Sequence, residues 1–114
     1  KILKIEGTGK ETRSFCYIDD FLNGLSILIK KRIKGFSIYN IGNNEEVTIL
    51  KLVKIILKNL NKKLIIKKKK LRKGSTKRRC PDLKKIKKIG YKPHINLNVG
   101  IKKMIKNDST LSKL

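Results

Sequence analysis

Tryptophan, alanine and glutamine are all absent from this sequence, and aromatic residues make up only 5% of it. So few flat rings leave little for base stacking, the contact on which single-strand nucleic-acid readers depend. Acidic residues are scarce as well: eight Asp and Glu stand against 31 Lys and Arg. No two carboxylates are spaced in a way that suits acid–base catalysis. The two cysteines, Cys16 and Cys80, lie far apart, with a single histidine, His94, for company. Such a set cannot furnish the roughly four ligands at paired spacings that a zinc site requires. Two reduced thiols in a cytoplasmic protein are the default reading. No apolar run approaches the roughly 18 residues of a membrane span, and the opening residues lack the apolar core of a signal peptide.

What remains is 114 residues, 39% of them apolar, enough for one small domain with a modest core. The start at Lys1 reads as mid-strand and predicts a fragment of a longer chain. The formal charge is +23, and it has two readings. A polyanion partner, nucleic acid above all, is one. Codon drift is the other, because Lys, Ile and Asn are abundant while Ala is missing. Only five of the basic residues are arginine, the side chain best suited to bidentate phosphate and base contacts. That scarcity favours drift and makes nucleic acid a secondary expectation. It also makes each arginine informative.

Alternating short strands and helices predict a mixed α/β piece in the order β-β-α-β-α-β-loop-α-α. Residues 2–6 and 12–17 read as strands, with Gly7-Thr8-Gly9-Lys10 as a hairpin turn between them. Asp19 or Asp20 is expected to cap a helix whose apolar face is Leu22, Leu25 and Ile29. "FSIYNI" (36–41) reads as a buried strand. Thr48 is an N-cap candidate for a helix over 49–60, and 64–67 for a further strand. A basic loop follows, then Asp82 as cap of a short helix carrying Leu83, Ile86 and Ile89 and stopped by Gly90. Pro93 marks a turn and His94 an exposed loop position. Asn96 caps a last helix to about Lys106.

Gly7-Thr8-Gly9-Lys10 is not a Walker loop, since that motif needs four residues before its Gly-Lys pair and a helix after it. Nor does it fit a dinucleotide fingerprint, which needs a third glycine opening a helix. Arg13, on a strand, is either a snorkelling surface residue or an anion clamp. Arg78 and Arg79, beside the Asp82 turn, could grip a diphosphate or simply sit in solvent.

Three stretches occur in order at natural distances: "GTGKETRSFCYIDDFLNGL" (7–25), "YNIGNNEEVTILKLVKII" (39–56) and "RRCPDLKKIKKIGYKPHINLNVGIKKMI" (78–105). Together they resemble the C-terminal part of the NAD-dependent epimerase/dehydratase family, the extended short-chain dehydrogenases that act on nucleotide sugars. The wording is closest to UDP-glucuronate decarboxylases and dTDP-glucose 4,6-dehydratases. The resemblance implies an α/β substrate-binding portion over residues 1–106, with 107–114 as a frayed tail and the N-terminal Rossmann part absent. It implies that Arg13 contacts the diphosphate of a nucleotide sugar and that Arg79, with Arg78 as neighbour, helps hold it. Asp82 would lie near the nucleotide or cap the next helix, and Asp19-Asp20 would start a helix packed on the cofactor domain. Asn40-Ile41-Gly42-Asn43 would end a strand that rejoins the domain core.

The implied cofactor is NAD, the implied partners the Rossmann part of the same enzyme and, at full length, a second subunit. The location is the cytoplasm, with no membrane contact. Neither the G-x-x-G-x-x-G cofactor loop nor the Y-x-x-x-K base pair is present, so this chain alone is expected to bind no NAD tightly and to be inactive. It departs from the family in three places. Lys73-Gly74-Ser75-Thr76 replaces a usually acidic loop, 82–90 is one residue short, and Tyr91 stands for a common tryptophan.

Overall fold

The computed structural model describes residues 1–108 and Thr110. Among the described residues, five strands and four helices follow one another as β1 (Ile2–Glu6), β2 (Thr12–Ser14), α1 (Ile18–Lys30), β3 (Glu46–Thr48), α2 (Ile49–Asn59), β4 (Ile65–Lys69), β5 (Arg78–Arg79), α3 (Lys84–Lys87) and α4 (Leu97–Asn107). The mixed α/β class read from the sequence holds. Of the tail expected to fray over 107–114, Asn107 still belongs to α4, while Ser109 and 111–114 lie outside the described residues.

β1 and β2 do not form the expected hairpin. β1 pairs in parallel with β4, and β2 is the centre of a second sheet in the order β3-β2-β5, antiparallel to β3 and parallel to β5. Gly7 and Gly9 do take the positive φ that the turn reading requires, both at 80°. The chain they turn, however, passes from one sheet to another. The second strand is also shorter than expected, because β2 ends at Ser14.

The helix caps divide. Thr48 accepts from the Lys51 amide at 3.1 Å and Asn96 from the Val99 amide at 3.0 Å, so both act as N-caps, as their residue types favour. At α1 the cap position is Tyr17, and neither Asp19 nor Asp20 caps it. Asp20 is instead buried, its carboxylate accepting from the amides of His94 and Ile95 at 3.0 and 2.9 Å. It thereby ties α1 to the segment leading into α4. Asp82 lies one residue before the α3 cap position, Leu83, and accepts from the Lys84 amide at 2.8 Å.

Leu83, Ile86 and Tyr91 form the tightest part of the core, ringed by Ile27, Leu28, Tyr39, Ile41 and Ile89. The inward stripe of α1 includes Asp20 and Gly24, and not the expected Leu22, Leu25 and Ile29. Gly24 is needed there: a Cβ on it would meet Ile41 Cγ2 at 2.6 Å and the Tyr91 ring at 3.0 Å. Tyr91 donates its hydroxyl to the Gly42 carbonyl at 2.7 Å. Desolvation raises its pKa above the ordinary phenol value, which keeps that proton in place.

The expected buried strand over 36–41 is not formed. Phe36 and Ile38 are 91% and 69% exposed, since no described segment lies beside them as a strand partner. Together with Ile18, Phe21, Leu22, Leu25 and Ile29 they leave an extensive apolar surface open on α1 and the segment after it.

Candidate anion-binding site

Register on β2 sorts the arginines. Arg13 is the partner of Arg79 on β5, whereas Arg78 is the partner of Thr12. Neighbouring residues on a strand point to opposite faces, and paired residues on adjacent strands about 4.8 Å apart share one. Arg13 and Arg79 therefore stand side by side, and Arg78 faces the other way.

Each guanidinium has different company. Arg78 Nε donates to both oxygens of Glu46, at 2.7 and 3.0 Å, and this partner raises its pKa further. Thr12 Oγ1 donates to the same carboxylate at 3.2 Å. Arg78 is thus a neutralised side chain fastening β5 to β3. Arg13 and Arg79 have no carboxylate partner among the described residues. Arg13 donates from Nη1 to the Thr12 carbonyl at 2.7 Å and from Nη2 to the Thr76 carbonyl at 2.9 Å. Arg79 donates from Nε to Thr76 Oγ1 at 2.8 Å. A guanidinium carries five N–H donors, so three remain on Arg13 and four on Arg79. Two adjacent forks with spare donors can receive a phosphate pair.

The four residues singled out in the sequence thus fall into two places. Arg13 and Arg79 share one face. Arg78 and Asp82 line a separate polar cavity of about 310 Å³ together with Asn44, Glu46, Cys80, Lys84 and Lys87. Asp82 spends one carboxylate oxygen on the Lys84 amide, and its carbonyl accepts from Asn40 Nδ2 at 3.1 Å. That is the structural alternative for Asp82.

The Gly7–Lys10 turn is an anion nest already filled by the protein itself. Glu11 accepts from the Thr8 amide at 2.9 Å and from the Gly9 amide at 2.8 Å. Those bonds, the Thr8 amide foremost, hold its carboxyl down at about 2. A Cβ on Gly7 would lie 2.5 Å from the Glu11 carboxylate, so no room is left. A dinucleotide pyrophosphate would meet both a filled cradle and a negative charge, and this turn does not fit NAD.

An apolar cavity of about 360 Å³ lies between α2 and α4, with Tyr17, Leu52, Ile101 and Met104 in its wall. Both cysteines are free thiols, and burial pushes that of Cys16 up. Among the described residues no group of three His, Cys, Asp or Glu could hold a metal, and no helix is long and apolar enough to cross a membrane.

Comparison with known proteins defines the class. No family model matches the chain. Individual relatives do: a UDP-glucuronic acid decarboxylase of Danio rerio is 35% identical over 104 residues, covering 90% of this chain and 24% of its own length. An uncharacterised protein of Methanocaldococcus jannaschii is 34% identical over 104 residues, 90% of this chain and 32% of the relative. Among solved structures, the UDP-glucuronic acid 4-epimerase of Bacillus cereus, in complex with UDP-glucuronic acid and NAD, superimposes with a TM-score of 0.82. It is 28% identical and matches 94% of this chain and 36% of its own. The chain spans about a quarter to a third of the length of these proteins. It corresponds to the C-terminal part of the extended short-chain dehydrogenases of the NAD-dependent epimerase/dehydratase family. Within that family its relatives are UDP-glucuronic acid decarboxylases and UDP-sugar epimerases.

Proposed function

We propose that the chain is the substrate-holding portion of an NAD-dependent nucleotide-sugar enzyme, a UDP-glucuronate decarboxylase in the first instance, and that Arg13 and Arg79 grip the substrate's diphosphate. The observation that carries this reading is the register pairing of two carboxylate-free arginines on adjacent strands. A diphosphate across both forks relieves their mutual repulsion and uses donors that the fold leaves idle. The chain's contribution to the reaction is orientation, holding the sugar by its diphosphate, which stays attached throughout, while the ring is free to react.

Cofactor binding and proton transfer belong, on this reading, to a separate Rossmann portion corresponding to the remaining length of the relatives. The exposed apolar surface of α1, with Phe36 and Ile38, is where that portion docks, and 36–41 becomes a strand when it gains a neighbour. Alone, the chain is inactive; at full length the enzyme is a homodimer of the cytoplasm.

Calorimetric titration of the 114-residue chain with UDP, and separately with single-stranded DNA, tests the site. Saturable UDP binding, weakened at least about tenfold by Arg13→Ala, is expected from the loss of a charge-assisted contact. Binding of DNA with a steep salt slope and no binding of UDP would instead make the surplus charge a nucleic-acid surface.

A further inference from the structure

Among the described residues, Thr76 is the one bonded to both Arg13 and Arg79. Its carbonyl accepts from Arg13 Nη2 at 2.9 Å, and its hydroxyl oxygen accepts from Arg79 Nε at 2.8 Å. Its position is itself fixed. On one side the Ser75 amide donates to the Arg72 carbonyl at 3.1 Å, closing a turn around Gly74, whose φ is 83°. On the other side the Thr12 amide donates to the Lys77 carbonyl at 2.9 Å, extending the β2–β5 ladder by one rung. Thr76 therefore sits between a closed turn and the sheet, and its two oxygens accept from two cations that would otherwise repel. The hydrogen of its hydroxyl makes no bond among the described residues and is free to donate.

We propose that Thr76 is the positioning residue of the anion site, holding the Arg13 and Arg79 forks at the separation that a nucleoside diphosphate needs; this rests on the reading of those arginines given above. A long arginine side chain samples many rotamers, and each one immobilised beforehand removes part of the ordering cost of binding. Anchoring Arg79 through Nε leaves both its terminal nitrogens without a partner among the described residues, free to meet phosphate oxygens as a fork. The carbonyl that anchors Arg13 survives any substitution, so loss of the hydroxyl frees Arg79 alone and should harm a ligand that spans both forks more than one that touches a single fork.

The test is calorimetry on the 114-residue chain with UDP and with UMP. Thr76→Val keeps the shape and loses the hydroxyl, Thr76→Ser keeps the hydroxyl, and Arg79→Ala provides the background. UDP affinity falls about fivefold in Thr76→Val, as expected for one hydrogen bond to a charged group at an exposed position. UMP affinity falls less than about twofold, and Thr76→Ser returns to within about twofold of wild type. In Arg79→Ala, adding Thr76→Val changes nothing further, because the hydroxyl acts through that arginine. Thr76→Ala, with the same loss as Thr76→Val, guards against an effect of the introduced methyl group. A wild-type response in Thr76→Val, failure of Thr76→Ser to restore binding, or multiplying effects in the double variant overturns the inference. Failure of the wild-type chain to bind UDP overturns the parent reading as well, so the two failures are distinguishable.

Discussion

Comparison of Arg79→Ala with Arg78→Ala separates a built site from diffuse positive charge, since both changes remove one cation from the same two-residue strand. Arg79 has four N–H groups available to a ligand after its bond to Thr76. A hydrogen bond to a charged group is worth roughly 1.5–3 kcal/mol, and the exposed position argues for the lower end. About 1.5 kcal/mol corresponds to roughly a tenfold loss in UDP affinity. Arg78 is bound to both oxygens of Glu46 and faces away from Arg13. At an opposite-face distance of about 10 Å, a unit charge in water contributes roughly 0.4 kcal/mol. Salt at physiological strength screens most of it, the Debye length being about 8 Å. Arg78→Ala should therefore weaken UDP by less than about twofold. Titrations at low and at moderate salt read both effects, and Arg79→Lys tests whether a point charge can replace the fork; an intermediate loss is expected. Equal losses for Arg78→Ala and Arg79→Ala would refute the register argument and leave only net charge as the cause.

Two further outcomes concern the scaffold. Glu11 titrates at about 2 in the folded chain, below its ordinary value, so the unfolded chain binds more protons as the pH falls from about 4.5 to about 2. The stability it contributes is whole above that window and lost through it; urea midpoints of wild type should fall more steeply there than those of Glu11→Gln, and parallel declines would refute the assignment. Gly24→Ala gains about 0.5–1 kcal/mol of helix preference but drives a methyl group to 2.6 Å from Ile41 Cγ2. Overpacking at about 1–3 kcal/mol wins, so the urea midpoint should drop and recover in part when Ile41→Ala is added; a midpoint at or above wild type in the single variant would count against it.

Local chemistry was readable from the sequence. Thr48 and Asn96 cap their helices because a short oxygen-bearing side chain beside an amphipathic run has little else to do, and Gly7 and Gly9 take positive φ as a turn demands. Partner choice was not readable. Nothing near Ile2–Glu6 says that its neighbour is Ile65–Lys69 in place of Thr12–Ser14, because the pairing is settled by the packing of the whole chain. The same holds for Asp20, which looked like a cap and instead binds amides more than seventy residues away. The run at 36–41 has the composition of a buried strand, yet burial depends on a neighbour and none of the described residues supplies one. At the site, the rarity of the arginines singled them out and the resemblance implied their role, but which of Arg78 and Arg79 shares a face with Arg13 depends on register. Thr76 stood out in the sequence only as part of the loop at 73–76 that departs from the resembled family, and nothing there showed two guanidinium groups sharing it.

Every strand pair in the described structure joins distant parts of the chain, and not one is a hairpin. Loop closure must therefore be completed before any ladder bond can form, which makes folding slow relative to a helical bundle of this size. Helices α2 and α4 are built from local bonds, whereas β5 reaches β2 only by closing the chain between residues 12 and 79. The pairing of Arg13 with Arg79 thus belongs to the ladder that closes the longest loop of any strand pair in the described structure. On the function proposed above, a diphosphate that binds this pair should select the native state over any partly assembled one.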